Sequence, residues 1–391
     1  MNIRSAALHL ATAFLLSLAG CGGGGGIEGT GAAAMGTLRM SITDAPSCGY
    51  DAVYLTIDRI RVNQSGNAGD ADSGWSDIVL SPAKRIDLLT LSNGVLEELG
   101  QTTLPTGKYT QMRLVLAPNT AASPLANSVT PTGGSETALT TPSAQQSGLK
   151  LNVDIDIPAD KVVDFAIDFD ACKSIVKRGN SGQYNLKPVV TVIPVLSDAG
   201  LRVVGHVDPA IALGSTSVSL QLNGVPVKAT VPDATGQFVL YPVPVGSYDL
   251  VVSAAGRVTA VMTAVPVVST AFTVVNSAAL PIVPGASAMR TVTGVVSPAT
   301  ASIRASQALS GGPVIEAAWA PVDATSGAFG LSLPIAPPIR TAYVPNPLAL
   351  NFAQDVAAGG KYSIEANSAG AVKTSAIDAT AVVPPLSFAF P

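Results

Sequence analysis

Three observations predict an all-β fold. Apolar and polar residues alternate at period two in many short runs. The hydrophobic fraction of 47% is carried by Ala and Val, with only 5% aromatics, and β-branched residues fit a pleated, half-buried surface. Gly (37) and Pro (29) recur often enough to close each run in a turn. Long 3.6-period patterns are missing, so helices are expected to be few and short. At 391 residues the chain is too long for one small core. The expected architecture is three β-sandwich-like domains in tandem behind a signal peptide and a Gly-rich tether.

The leader comes first. Met1 to Arg4 supplies one positive charge, and residues 5–18 form an apolar stretch too short to span a bilayer comfortably. It ends in Leu18-Ala19-Gly20-Cys21, small residues before a cysteine, which looks like a lipobox. Residues 1–20 are therefore read as a signal peptide and Cys21 as the lipidation site, palmitate among its acyl chains. Two or more acyl chains anchor stably where one does not. An ordinary secretory peptide with a chance cysteine is the alternative. Residues 21–35, with Gly22 to Gly26, read as a flexible tether. Gly rather than Asp follows the cysteine, and the resemblance to sorted lipoproteins implies the outer membrane, on its periplasmic or cell-surface face. No later stretch is apolar and long enough to span, so the lipid is expected to be the only anchor.

Charge narrows the partners. The formal charge is −4, and loss of Arg4 with the leader leaves 21 bases against 26 acids, or −5. No basic run or stripe is visible, so nucleic-acid binding, which requires phosphate neutralisation, is not expected. The partners left are the membrane, through the lipid, and an envelope protein or glycan.

Residues 36–197 read as the first domain. Val53, Leu55 and Ile57 share one strand face, but Ile60 and Val62 continue the apolar set with opposite parity, which predicts a bulge at Asp58-Arg59. Met112, Leu114 and Leu116 alternate cleanly, as do Phe165, Ile167 and Phe169 opposite Asp164, Asp168 and Asp170. Lipidation of Cys21 leaves Cys48 and Cys172 as the remaining thiols in an oxidising compartment, which predicts a disulfide between them. Two separately buried thiols are the alternative.

An internal repeat organises the second half. Gly205-His206-Val207-Asp208-Pro209-Ala210 matches Gly294-Val295-Val296-Ser297-Pro298-Ala299. Asp233-Ala234-Thr235 matches Asp323-Ala324-Thr325, and Gly236-Gln237-Phe238 matches Gly327-Ala328-Phe329. The order and spacing predict two copies of one sandwich, at 201–283 and 290–391, the second with a longer insertion before Gly360-Lys361-Tyr362.

Two family resemblances follow from quoted residues. In the first copy, Gly236 opens a strand and Pro244-Val245-Gly246-Ser247-Tyr248 leads into the next, which resembles carboxypeptidase-regulatory-like and prealbumin-like domains. Residues 36–197 resemble the bacterial lipoprotein family known as domain of unknown function 4382. The resemblance rests on Thr43-Asp44-Ala45-Pro46, Val53 to Val62, Gly74-Trp75, Ile86-Asp87-Leu88-Leu89, Asn93-Gly94, Leu104 to Tyr109, Asp168-Phe169-Asp170 and Leu186 to Val190. It implies a surface or periplasmic lipoprotein and no known activity.

Catalytic chemistry has little to stand on. After the leader one histidine remains, His206, with no nucleophile elbow near it. No H-E-x-x-H or C-x-x-C occurs, and no cofactor or metal is expected. Asp70 and Asp72 resemble a calcium loop, but Gly74 stands where a third ligand belongs, so a polar hairpin loop is the simpler reading. Asp164, Asp168 and Asp170 read as the solvated face of a strand, with metal binding as the alternative. Trp75, Tyr241 and Trp319 are the candidates for a sugar-stacking platform, against ordinary packing. The expected function is that of a non-catalytic cell-envelope lipoprotein, structural, adhesive or ligand-presenting. A carbohydrate-binding surface lipoprotein is the alternative, because the fold implied by the carboxypeptidase-regulatory-like resemblance is shared with starch-binding modules.

Overall fold

The computed structural model describes residues 34–44, 49–141, 147–196, 200–347 and 349–391. These residues are nearly all β, in six sheets. The predicted all-β sandwich architecture is therefore what the chain adopts.

The first sandwich contains β1 (Met35–Asp44), β2 (Tyr50–Asn63), β3 (Ser76–Asp87), β4 (Glu97–Pro105), β5 (Gly107–Leu116), β6 (Ser128–Pro131) and β7 (Thr137–Thr140). It continues through β8 (Leu149–Ile157), β9 (Val162–Phe169), the single turn α1 (Ala171–Ser174), β10 (Ile175–Lys177), β11 (Tyr184–Leu186) and β12 (Val190–Pro194). One sheet runs β12-β9-β1-β4. The other runs β10-β11-β7-β6-β2-β5-β8, with β3 also on β2. Period-two alternation puts Leu38, Met40 and Ile42 of β1 and Val53, Leu55 and Ile57 of β2 in the shared core. The register of β2 slips between Ile57 and Arg59 against both neighbours. The slip keeps Ile60 and Val62 inside, so the parity change in the sequence is a bulge.

The second sandwich holds β13 (Val203–His206), β14 (Thr216–Leu222), β15 (Val225–Thr230), β16 (Gln237–Leu240), β17 (Gly246–Ala254), β18 (Ala260–Val267) and β19 (Thr273–Val274). The third holds β20 (Met289–Ser297), β21 (Ser302–Ala308), β22 (Val314–Ala320), β23 (Ala328–Pro334), β24 (Ile339–Ala342), β25 (Ala353–Gln354), β26 (Lys361–Ser368), β27 (Ala371–Asp378) and β28 (Leu386–Ala389). Their sheets correspond strand for strand: β16-β13-β19 with β23-β20-β28, and β15-β14-β17-β18 with β22-β21-β26-β27. In both, the first strand is antiparallel to one neighbour and parallel to the last strand.

The repeat motifs occupy equivalent places. A Cβ on Gly205 would lie 2.4 Å from the Phe238 ring, and one on Gly294 2.4 Å from the Phe329 ring. Gly236 and Gly327, at φ +83° and +69°, each leave room for a carbonyl, of Val207 and Val296 respectively, 2.1 Å from where a Cβ would sit. Both follow an Asp whose carboxylate accepts turn amides: Asp233 from Thr235 N at 2.8 Å, Asp323 from Ser326 N at 2.8 Å.

The insertion in the third sandwich does not stay at home. Its strand β24 adds in parallel to the edge of β18, and β25 pairs with β24, so the second sandwich's larger sheet ends in strands from the third. An apolar cluster of Val251 and Val261 with Leu309, Ile315 and Ala358 seals the same seam.

Candidate functional site at the junction of the sandwiches

A cavity of about 550 Å³ opens where the three sandwiches meet. Its position follows from local structure. Strand β9 ends at Phe169, and Asp170 caps the one-turn α1, its carboxylate accepting Lys173 N at 2.9 Å. That turn places Asp170 and Lys173 on the cavity wall. Across the gap, Lys173 Nζ donates to Glu316 Oε1 on β22 at 2.8 Å and lies 3.9 Å from Asp170 Oδ2. Gln221 on β14 fixes the Glu316 backbone from the third side. Its Nε2 donates to Glu316 O at 2.9 Å and its Oε1 accepts Glu316 N at 2.7 Å.

Electrostatics at this point are set by burial. Desolvation pushes Asp170 up to about 6, against the pull of Lys173 and the Lys173 amide, while Asp168 and Glu316 push the same way as burial. Tyr50, on the cavity's first-sandwich side and edge-on to Tyr184, is pushed up to about 12 by burial.

Other polar contacts lock the sandwiches together. Lys228 of β15, 1% exposed at its side chain, pairs with Asp168 of β9. Asn93 N donates to Thr230 Oγ1 at 2.7 Å, and Asn93 Oδ1 accepts Val239 N at 2.5 Å. Lys187 donates to the carbonyls of Thr300 and Ala301, and Gly179 N to Asp323 Oδ2 at 2.6 Å. The reading of Asp164, Asp168 and Asp170 as a solvated strand face is therefore corrected. Asp164 pairs with Arg39 at the surface, but Asp168 is buried against the second sandwich and Asp170 faces the junction. A downstream domain covers what an isolated strand would expose.

The sugar-stacking candidates are dispersed. Trp75 lies between Arg61 and Arg113, whose guanidinium carbons stand 4.7 and 4.8 Å from its ring centroid, and its Nε1 donates to Gly69 O. Tyr241 has Arg202 at 4.6 Å over its ring. Trp319 alone of the three lines the junction cavity. In the Asp70–Asp72 loop, Asp70 pairs with Arg113, and Asp72 accepts Gly69 N at 2.8 Å. These are hairpin-loop contacts. Among the described residues no group of three His, Cys, Asp or Glu is placed to hold a metal. A second hollow, of about 610 Å³, lies beside Asp154, Asp156 and Asp164, where Asp154 is paired with Lys108 and Asp164 with Arg39. His206 Nδ1 is buried without a hydrogen bond, and the residue's backbone is clamped by Asn276 at 2.7 Å on both N and O.

Cys172 lines the cavity. Cys48 and Cys21, together with the leader and the Gly tether, lie outside the described residues. Among those described, no helix is long and apolar enough to cross a membrane. Sequence reasoning missed Lys173, Lys228, Gln221 and Glu316. Nothing in a strand's own pattern marks a residue that will meet another domain.

No curated protein matches the chain. Among solved structures, two type II cohesin–X-dockerin complexes from Acetivibrio cellulolyticus, one an N-terminal and one a C-terminal interface mutant, match at 24% identity. Each match covers 22% of this chain and 59% of that one, with a TM-score of 0.19. This chain thus spans less than two thirds of their length. A streptococcal ancillary pilin matches at 10% identity over 91% of this chain and 98% of that one, with a TM-score of 0.15. Overlaps this poor carry no argument. The first sandwich is different: residues 35–188 match the family model described as Domain of unknown function (DUF4382).

Proposed function

We propose that the protein is a non-catalytic cell-envelope lipoprotein, held by lipid on Cys21 to the outer membrane, whose three sandwiches act as one stiff module for adhesion or ligand display. The observation that carries this reading is the junction, where buried ion pairs and shared strands weld the sandwiches. Charges sunk between domains are costly to separate, so the module holds its shape. The Cys48–Cys172 disulfide belongs to the same proposal, as does a prealbumin-like origin for the two copies.

Asp170 is the residue an enzymatic reading would rest on, since a raised carboxyl in a cavity resembles a general acid. Its carboxylate already caps α1 and lies close to Lys173, which accounts for it structurally.

Two measurements test the proposal. Labelled palmitate should enter the wild-type chain and not Cys21→Ser, which should leave the membrane fraction as unprocessed precursor. Purified protein should turn over no member of a panel of chromogenic glycosides, esters and peptides. Turnover abolished by Asp170→Asn would make the protein an enzyme, and palmitate in Cys21→Ser would remove the anchor.

A further inference from the structure

We propose that the junction cavity is a saccharide-binding site, taking a mono- or disaccharide with one ring face on Trp319 and its hydroxyls on Ser217, Ser219 and the Glu316 carboxylate. The idea deepens the ligand-display reading and rests on it.

Size comes first. About 550 Å³ falls within the roughly 300–1,000 Å³ of small-molecule sites. The walls then differ in chemistry. On β14, Val218 and Leu220 point into the second core, so Ser217, Ser219 and Gln221 face outward together. The register puts Ser253 of β17 opposite Ser217, which makes this outer face a patch of hydroxyls and an amide. The third sandwich covers that patch without filling it, and contributes Trp319 beside Ala317 and Ala318.

The indole is uncommitted. Trp75 and Tyr241 have their rings occupied by arginines, whereas among the described residues no cation or aromatic ring stacks on Trp319. Thr259, another lining residue, is 2% exposed, and its hydroxyl has no hydrogen-bond partner. Buried polar atoms are normally satisfied, so an orphan at a cavity wall marks a place a ligand or water completes.

Charge selects the ligand class. The floor combines the carboxylates of Asp170 and Glu316 with Lys173 and Arg257. Carboxylates beside hydroxyls disfavour a phosphate-bearing ligand, and an acyl chain would leave the Ser217 and Thr259 hydroxyls without a partner. A neutral polyhydroxylated ring uses all of them: apolar C–H face on the indole, hydroxyl edge on donors and acceptors.

The chain has two tryptophans, so Trp75→Phe leaves Trp319 as the sole reporter. The full-length protein, in a detergent without a sugar headgroup, would be titrated with maltose, cellobiose, N-acetylglucosamine and galactose to millimolar levels. Trp319 fluorescence and calorimetry are the readouts. At least one probe should give a saturable response. Trp319→Ala should weaken it about tenfold or more, equivalent to about 1.4 kcal/mol, with Trp319→Tyr retaining most of it. Ser217→Val, a change outside the cores, should weaken it too and decides the matter if Trp319→Ala does not fold. No saturable response to any probe, or binding unchanged in these variants, overturns the site. Chromatography of the recovered saccharide separates the two proposals. Intact sugar supports both, cleaved sugar keeps the site but ends the non-catalytic reading, and no binding with no cleavage ends only the site.

Discussion

At the scale of single residues, the junction is built on charges that have left water. Lys228 and Asp168 form the most buried ion pair among the described residues. Removing one partner strands the other, so Lys228→Ala should destabilise by about 3–5 kcal/mol. Replacing both at once, Lys228→Met with Asp168→Leu, should cost far less, and paired denaturation curves would show it. Asp170 makes the opposite kind of contribution. Its folded pKa of about 6 stands above its ordinary 3.8, so the folded state binds the proton more tightly. That contribution is fully present below about pH 4 and is lost as pH rises through 6. Asp170→Asn keeps an acceptor for the α1 cap and removes the buried charge. It should therefore raise stability at pH 7–8, by up to about 3 kcal/mol, and change little at pH 4. Melting curves at the two pH values check the sign. Asn93, Asp168 and Lys187, which carry part of the first sandwich's family resemblance, are among the residues that grip the downstream sandwiches. Sequence marked them as notable and gave no hint of this use, because their partners lie at least about sixty residues away.

At the scale of elements, one device appears three times. Tyr109 donates its hydroxyl to Pro105 O at 3.1 Å, Tyr248 to Pro244 O at 2.8 Å, and Tyr362 to Pro334 O at 2.7 Å. In the first two sandwiches it is a local P-x-G-x-Y. In the third, the residues leading into β24 and β25 separate the proline from the tyrosine, yet the bond is kept. Each Tyr→Phe change should cost about 1 kcal/mol, readable by chemical denaturation. The glycine turns are stricter. Gly236→Ala and Gly327→Ala must fit a Cβ against a carbonyl at positive φ, and each should cost more than about 1 kcal/mol. Similar losses at both positions would express the equivalence of the copies. Much of this was legible, because alternation, the Asp58-Arg59 parity slip and the repeat all reflect local geometry. The donated strand β24 was not. The insertion's length was visible, but a short run such as Ile339 to Ala342 does not say which sheet edge it will join.

At the scale of the whole molecule, shared strands and buried charges should make the sandwiches melt together. A single thermal transition is expected for the wild-type protein. Replacing residues 335–359 by a short Gly/Ser loop should split it, by exposing the β18 edge, and should promote aggregation through that edge. Calorimetry and light scattering follow the two effects. Thiol labelling of the unfolded, unreduced protein should find no reactive cysteine, since in the proposed form Cys21 is lipidated and Cys48 is bridged to Cys172.

The parallel pairing of first and last strands in each copy has a mechanical meaning. In the third sandwich β20 enters and β28 leaves, side by side from Gly294↔Leu386 to Ser297↔Ala389. In the second, β13 and β19 do the same. Tension along the chain pulls one such strand backward and its neighbour forward, so the bonds between them are sheared simultaneously. A hairpin under the same pull would open one bond at a time. Each copy is thus wired to resist stretching between its ends, and single-molecule pulling should find two high-force ruptures.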